Sequence, residues 1–144
     1  MNKLPKMKMK KILLRGVVSV FLGVFMLGVN AFADVSNTRV YVPKNVYGGA
    51  LTDYQNDICA YAIINVQSVY PTDGSYDNYQ YVNVKLLKGS ATSSLVLHGE
   101  KKIKEGSGWV KLQYQYNMAK GDEMTYLFKG NNPEYDAYAI VSVK

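Results

Sequence analysis

The sequence predicts an all-β fold, a single antiparallel β-sandwich of about seven short strands, and three observations carry that expectation. Beyond residue 33 the chain is a Tyr, Val and Ile protein, with all 13 tyrosines in that part, and these are strand-forming residues. Apolar residues recur there with period two and show no sustained period of 3.6. Turn-forming clusters break the pattern at roughly ten-residue intervals, the spacing of sandwiches and barrels.

Taken in order, residues 38–42 (TRVYV) alternate and then meet Pro43, which has no N–H to offer a sheet ladder. Residues 47–49 (YGG) read as a turn. The stretch LTDYQNDICAY after it offers Thr and Asp as helix caps but is too short and too rich in Asn and Asp for a helix. Residues 58–67 (ICAYAIINVQ) are apolar on both faces until Asn65, as a central strand requires. After the turn PTDG at 71–74, residues 80–87 set Val82, Val84 and Leu86 against Tyr81, Asn83 and Lys85. Residues 93–99 form a short strand ending at His98. Beyond EGSG at 105–108, residues 109–116 place Val110, Leu112, Tyr114 and Tyr116 on one side and Trp109, Lys111, Gln113 and Gln115 on the other. Residues 123–129 bring Met124, Tyr126 and Phe128 together, and residues 135–144 close the sheet pattern after the turn GNNP.

The first 33 residues read differently. Lys3, Lys6, Lys8, Lys10, Lys11 and Arg15 precede an apolar run over residues 16–29, and Ala31 and Ala33 stand at the small-residue positions of a signal-peptidase site. A secretory signal peptide over residues 1–33, cut before Asp34, is the expectation, with the sandwich over residues 34–144. The competing reading is an uncleaved anchor. The 14-residue run makes a helix of about 21 Å, short of the ~30 Å hydrocarbon core. Six of the 17 Lys and Arg lie in this segment and none of the 11 Asp and Glu does, so residues 34–144 are formally neutral. That balance argues against nucleic acid, which asks for a clustered basic stripe, and against a polybasic membrane surface. The expected location is extracellular, with membrane contact only during export. The oligomeric state is left open.

Cys59 is the sole cysteine, so no intramolecular disulfide forms, and export from a bacterium without a dedicated disulfide-forming system fits that usage. Its apolar neighbours predict a buried, inert thiol. His98 reads as a solvated turn residue. One His and one Cys leave no multi-His metal site, no Ser lies in a G-x-S-x-G context, and no phosphate loop or dinucleotide fingerprint occurs. In PTDGSYDNYQY, Asp73, Ser75 and Asp77 alternate like oxygen ligands of calcium. The EF-hand pattern fails there, with Asn78 and Val84 where Gly and Glu belong. Neither a metal nor a cofactor is expected.

What remains is aromatic. The alternation turns Tyr79 and Tyr81 outward beside Asn83 and Lys85, and Trp109 outward beside Lys111, with Tyr76 in the preceding loop. Outward rings suit stacking on sugars or anchoring a protein, although cross-strand Tyr pairs also stabilise sheets without binding anything. The sequence thus points to a non-enzymatic exported module that binds a glycan or a surface protein through Tyr76, Tyr79, Tyr81 and Trp109. The alternative is a secreted antagonistic effector, bacteriocin-like or a small toxin. A glycoside hydrolase built from two of Glu100, Glu105, Glu123 and Glu134 comes third.

Overall fold

The computed structural model describes residues 35–74 and 80–144. Among them eight strands follow one another: β1 (Val35–Val42), β2 (Gly48–Tyr54), β3 (Cys59–Pro71), β4 (Tyr81–Lys88), β5 (Val96–Lys104), β6 (Trp109–Met118), β7 (Glu123–Gly130) and β8 (Ala137–Val143). They form two four-stranded antiparallel sheets, ordered β1-β8-β3-β6 and β2-β7-β4-β5, and the fold is a β-sandwich. Contacts between β1 and β2, and between β5 and β6, close its two sides.

Period-two alternation fills the space between the sheets. The first sheet sends in Val40, Ala62, Ile64, Val66, Leu112, Ala139 and Val141; the second sends in Val82, Val84, Leu86, Met124, Tyr126 and Phe128. Both inner faces mix small residues with large ones, and their interdigitation is how two sheets reach interior density. Strand β3 is central, as its two-sided apolar run predicts, and stays paired for 13 residues because a register shift between Val66 and Ser68 resets its phase. Val66 and Val69 therefore both point inward.

Four local expectations are corrected. The segment after Tyr47 is a strand, β2, not a turn: Gly49 adopts φ +41° and its neighbour opens a register shift against β7. A Cβ at Gly49 would lie 1.6 Å from the Tyr41 carbonyl oxygen, so only glycine lets β2 pass this close to β1. Next, β5 does not stop at His98 but runs through Gly99 to Lys104. His98 is half-buried, and its Nδ1–H donates to the Gln113 carbonyl of β6 at 2.7 Å, tying the two sheets together. Tyr116, expected inward, is exposed because β6 bulges between Gln113 and Met118, which face Tyr61 and Cys59. That same irregularity leaves Cys59 half-buried at the first residue of β3, where a fully buried thiol was expected.

Candidate functional site

With the core defined, the outward residues fall on two opposite faces. The first belongs to β1-β8-β3-β6. Register places Tyr41 of β1 opposite Tyr138 of β8, and Tyr138 opposite Tyr70 of β3, so three rings stand in one row across three strands. The Tyr41 and Tyr138 centroids are 6.0 Å apart in an edge-to-face arrangement, and those of Tyr70 and Tyr138 are 6.1 Å apart. Both spacings lie within the favourable range for aromatic pairs. Asn65, opposite Trp109 on one side and Ser142 on the other, continues the same face along β3. Ser142 and Tyr138 are four residues apart on β8, about 13 Å at ~3.3 Å per residue. Tyr61 lies beyond Asn65 on β3, on the side away from Tyr70.

Cations cover ring faces along this tract. The Arg39 guanidinium lies 4.5 Å from the Tyr138 centroid, the Lys111 ammonium 3.9 Å from that of Tyr61, and the Lys144 ammonium 5.1 Å from that of Trp109. Each such contact contributes roughly 0.5–1 kcal/mol at an exposed site. Even so, Tyr41 is 41% exposed, Tyr61 40%, Tyr70 36% and Trp109 46%, so the stacking does not bury them. One acid anchors the row. The Tyr41 hydroxyl donates to Asp136 Oδ2 at 2.6 Å and the Lys44 backbone N–H to Oδ1 at 2.9 Å. Those bonds hold the Asp136 carboxyl below its ordinary range, and the bond to Asp136 raises the Tyr41 phenol.

The second face belongs to β2-β7-β4-β5 and is polar. Asn83 of β4 stands opposite Lys102 of β5 and Lys129 of β7. Glu100 accepts from Lys129 Nζ at 2.8 Å and from the Tyr47 hydroxyl at 2.6 Å, which keeps its carboxyl ionised below the usual range. Burial, then the bond to Glu100, raises the Tyr47 phenol. Tyr81 lies here, half-buried, with the Lys102 ammonium 4.3 Å from its centroid and its backbone N–H donating to Asn131 Oδ1 at 3.3 Å.

Of the four aromatics singled out from sequence, Trp109 and Tyr81 thus sit on opposite sheets, while Tyr76 and Tyr79 lie outside the described residues, as do Ser75 and Asp77. The structure brings Trp109 together instead with Tyr41, Tyr61, Tyr70 and Tyr138. Alternation alone does not turn all four outward, since Tyr61 and Tyr70 have opposite parity on β3 and share a face only through the register shift between Val66 and Ser68. What was missing was the pairing of β1, β8 and β3, which long-range contacts decide. Glu105 points elsewhere, accepting the Val69 N–H at 2.8 Å, and Glu123 opens β7 opposite Tyr54.

No protein-family model matches the chain, and no curated protein matches it. Among solved structures it is similar to the C-terminal domain of EclA, described as a sugar-binding protein, with 17% identity over 81% of this chain and 84% of that one, and a TM-score of 0.34. A likeness at that score bears on neither ligand nor mechanism.

Proposed function

We propose that the chain is an exported, non-enzymatic binding module whose outer β1-β8-β3-β6 face takes a glycan chain. One observation carries this reading: five aromatic rings share a single sheet face, and four of them remain at least one-third exposed. Folding gains little from rings left in water, whereas an association surface uses them. Ring faces stack on the C–H faces of sugars, and the neighbouring Arg39, Lys111 and Lys144 supply hydrogen-bond donors at their rims. Because the Trp109 end and the Tyr41–Tyr138–Tyr70 row stand about 13 Å apart, a ligand touching both is a chain and not a single ring. Export rests on the basic n-region, the short apolar run and the A-x-A site before Asp34. Intact mass of material recovered from medium should correspond to a chain starting at Asp34, and retention of residues 1–33 would refute that part.

Retention on immobilised polysaccharides and isolated cell-wall material tests the binding part. Trp109→Ala and Tyr70→Ala should each weaken retention by about 2 kcal/mol, roughly 30-fold, as hot-spot aromatics do. Melting temperature should change little. If both variants are retained like the parent on every preparation, the aromatic face is not a binding site. Retention abolished by protease treatment of the wall material assigns the face to a surface protein instead.

A further inference from the structure

The polar face contains a depression that the aromatic-face reading leaves unused. Its floor is the row Asn83, Lys102 and Glu100 beside Lys129, and its rim is completed by Lys44 and Asn45 from the β1–β2 connection and Asn131 after β7. The depression holds about 430 Å³, is open to solvent and is lined mainly by polar groups.

The charges in this depression are unequally engaged. Lys129 and Glu100 neutralise one another at 2.8 Å, and Tyr47 fixes the same carboxylate oxygen. The Lys102 ammonium lies over the Tyr81 ring, and among the described residues no carboxylate lies within ion-pair distance of it. The Lys44 ammonium reaches a backbone carbonyl, that of Glu134, at 3.3 Å. Lys102 therefore stands in excess at the lining, Lys44 shares the field of the Asp136 carboxylate that its backbone N–H bonds, and three side-chain amides stand beside them. Asn131 accepts the Tyr81 N–H through Oδ1, which leaves its NH₂ to donate.

We propose that this depression is a second ligand site, for an anionic saccharide: a sugar bearing a carboxylate or phosphate that Lys44 and Lys102 recognise, with hydroxyls hydrogen-bonded by Asn45, Asn83 and Asn131. Lysine ammoniums are compact point charges that accept either anion without bidentate geometry. Amides both donate and accept, which matches hydroxyl groups that do the same. The Glu100–Lys129–Tyr47 cluster serves as a rigid wall, since each of its polar groups is already bonded within the protein. The site stands on the sheet opposite Trp109 and is linked to the aromatic row through Lys44, whose backbone N–H bonds Asp136, and a chain with both would bridge two saccharide segments.

Titration calorimetry of the purified protein separates the outcomes. The probes are oligogalacturonate, its fully methyl-esterified form, and a phosphomannan. At least one of the two anionic polymers should bind and the ester should not, and the identity of the binder assigns the anion as carboxylate or phosphate. Raising salt should weaken that binding. Lys102→Glu should reduce affinity at least tenfold without lowering melting temperature, because Lys102 is exposed, and Lys44→Glu should act in the same direction. Trp109→Ala should leave it unchanged. Binding of neither anionic polymer overturns the proposal, as does equal binding of the ester. Parent-like affinity in both lysine variants, or loss on Trp109→Ala, overturns it as well.

Discussion

The two outer faces are built by the same alternation and differ in almost every property that a ligand would sense. On β1-β8-β3-β6 the outward positions are Tyr41, Tyr61, Tyr70, Trp109 and Tyr138, with cations lying over ring faces. On β2-β7-β4-β5 they are Asn83, Lys85, Lys102 and Lys129, with Tyr81 half-buried among them. Alternation determines that a residue points outward, while strand order determines which outward residues become neighbours. The turn after Lys104 is where the two part: β5 ends in one sheet and β6 begins in the other, so Tyr81 and Trp109 separate.

The sharpest way to break the comparison is to remove what the faces share. Phe128 is wholly buried between the sheets, so Phe128→Ala should cost about 3–5 kcal/mol. Denaturant unfolding would show it, and both binding activities should fall in parallel with the folded fraction. Survival of one face without the other would mean that the sheets hold their shapes separately. Two positions away on the same strand, the Tyr126 hydroxyl is buried with no hydrogen-bond partner. Tyr126→Phe should therefore be neutral or stabilise by up to ~1 kcal/mol, since it removes a desolvated polar group and keeps the ring.

A lesion at Gly49 should divide the faces. A Cβ there collides with the Tyr41 carbonyl, and φ +41° adds strain for any other residue. Gly49→Ala should cost roughly 2 kcal/mol or more, measured by the denaturation midpoint. Because the displaced strand carries Tyr41, retention on the aromatic face should fall further than oligosaccharide binding on the polar face. Equal losses would show the strain to be relieved through β2 instead of β1.

How far the sequence reveals this molecule depends on the range of the interaction. Strands β4, β6 and β7 were legible because apolar residues alternate at short range, and β3 because its run is apolar on both faces until Asn65. Strand β2 was not: Gly48–Gly49 resembles a turn, and its role is to admit the Tyr41 backbone, a contact made between strands. The same holds for Tyr116 and Cys59, whose exposure follows from a pairing irregularity between β3 and β6 that no local pattern encodes. Trp109 was recognisable as an outward ring, but its companions Tyr41, Tyr70 and Tyr138 become a row only through sheet register.

The smallest effect distinguishes the faces by their acids. Asp136 braces the aromatic row through Tyr41, and Glu100 braces the polar depression through Lys129 and Tyr47. Both carboxyls have folded pKa values depressed below the ordinary 3.8 and 4.5. A depressed carboxylate stabilises the fold above its unfolded pKa, and that stabilisation disappears as pH falls through the folded value. Melting temperature should therefore be level between pH 7 and about 5 and decline below ~4. Tyr41 acts with the opposite sign. Its phenol is raised above 10.0 by the bond to Asp136, so its contribution is complete below that value and is lost as pH rises through the higher folded one. Asp136→Asn should thus flatten part of both limbs, while Glu100→Gln should flatten the acid limb and lower the Tyr47 phenol, whose elevation owes more to burial. Since Asp136 and Glu100 face solvent, salt should shrink their acid-limb terms. A melting profile in which Asp136→Asn leaves the alkaline limb unaltered would show that the Tyr41–Asp136 bond does not persist in solution, and with it the brace that holds the aromatic row to the β1 edge.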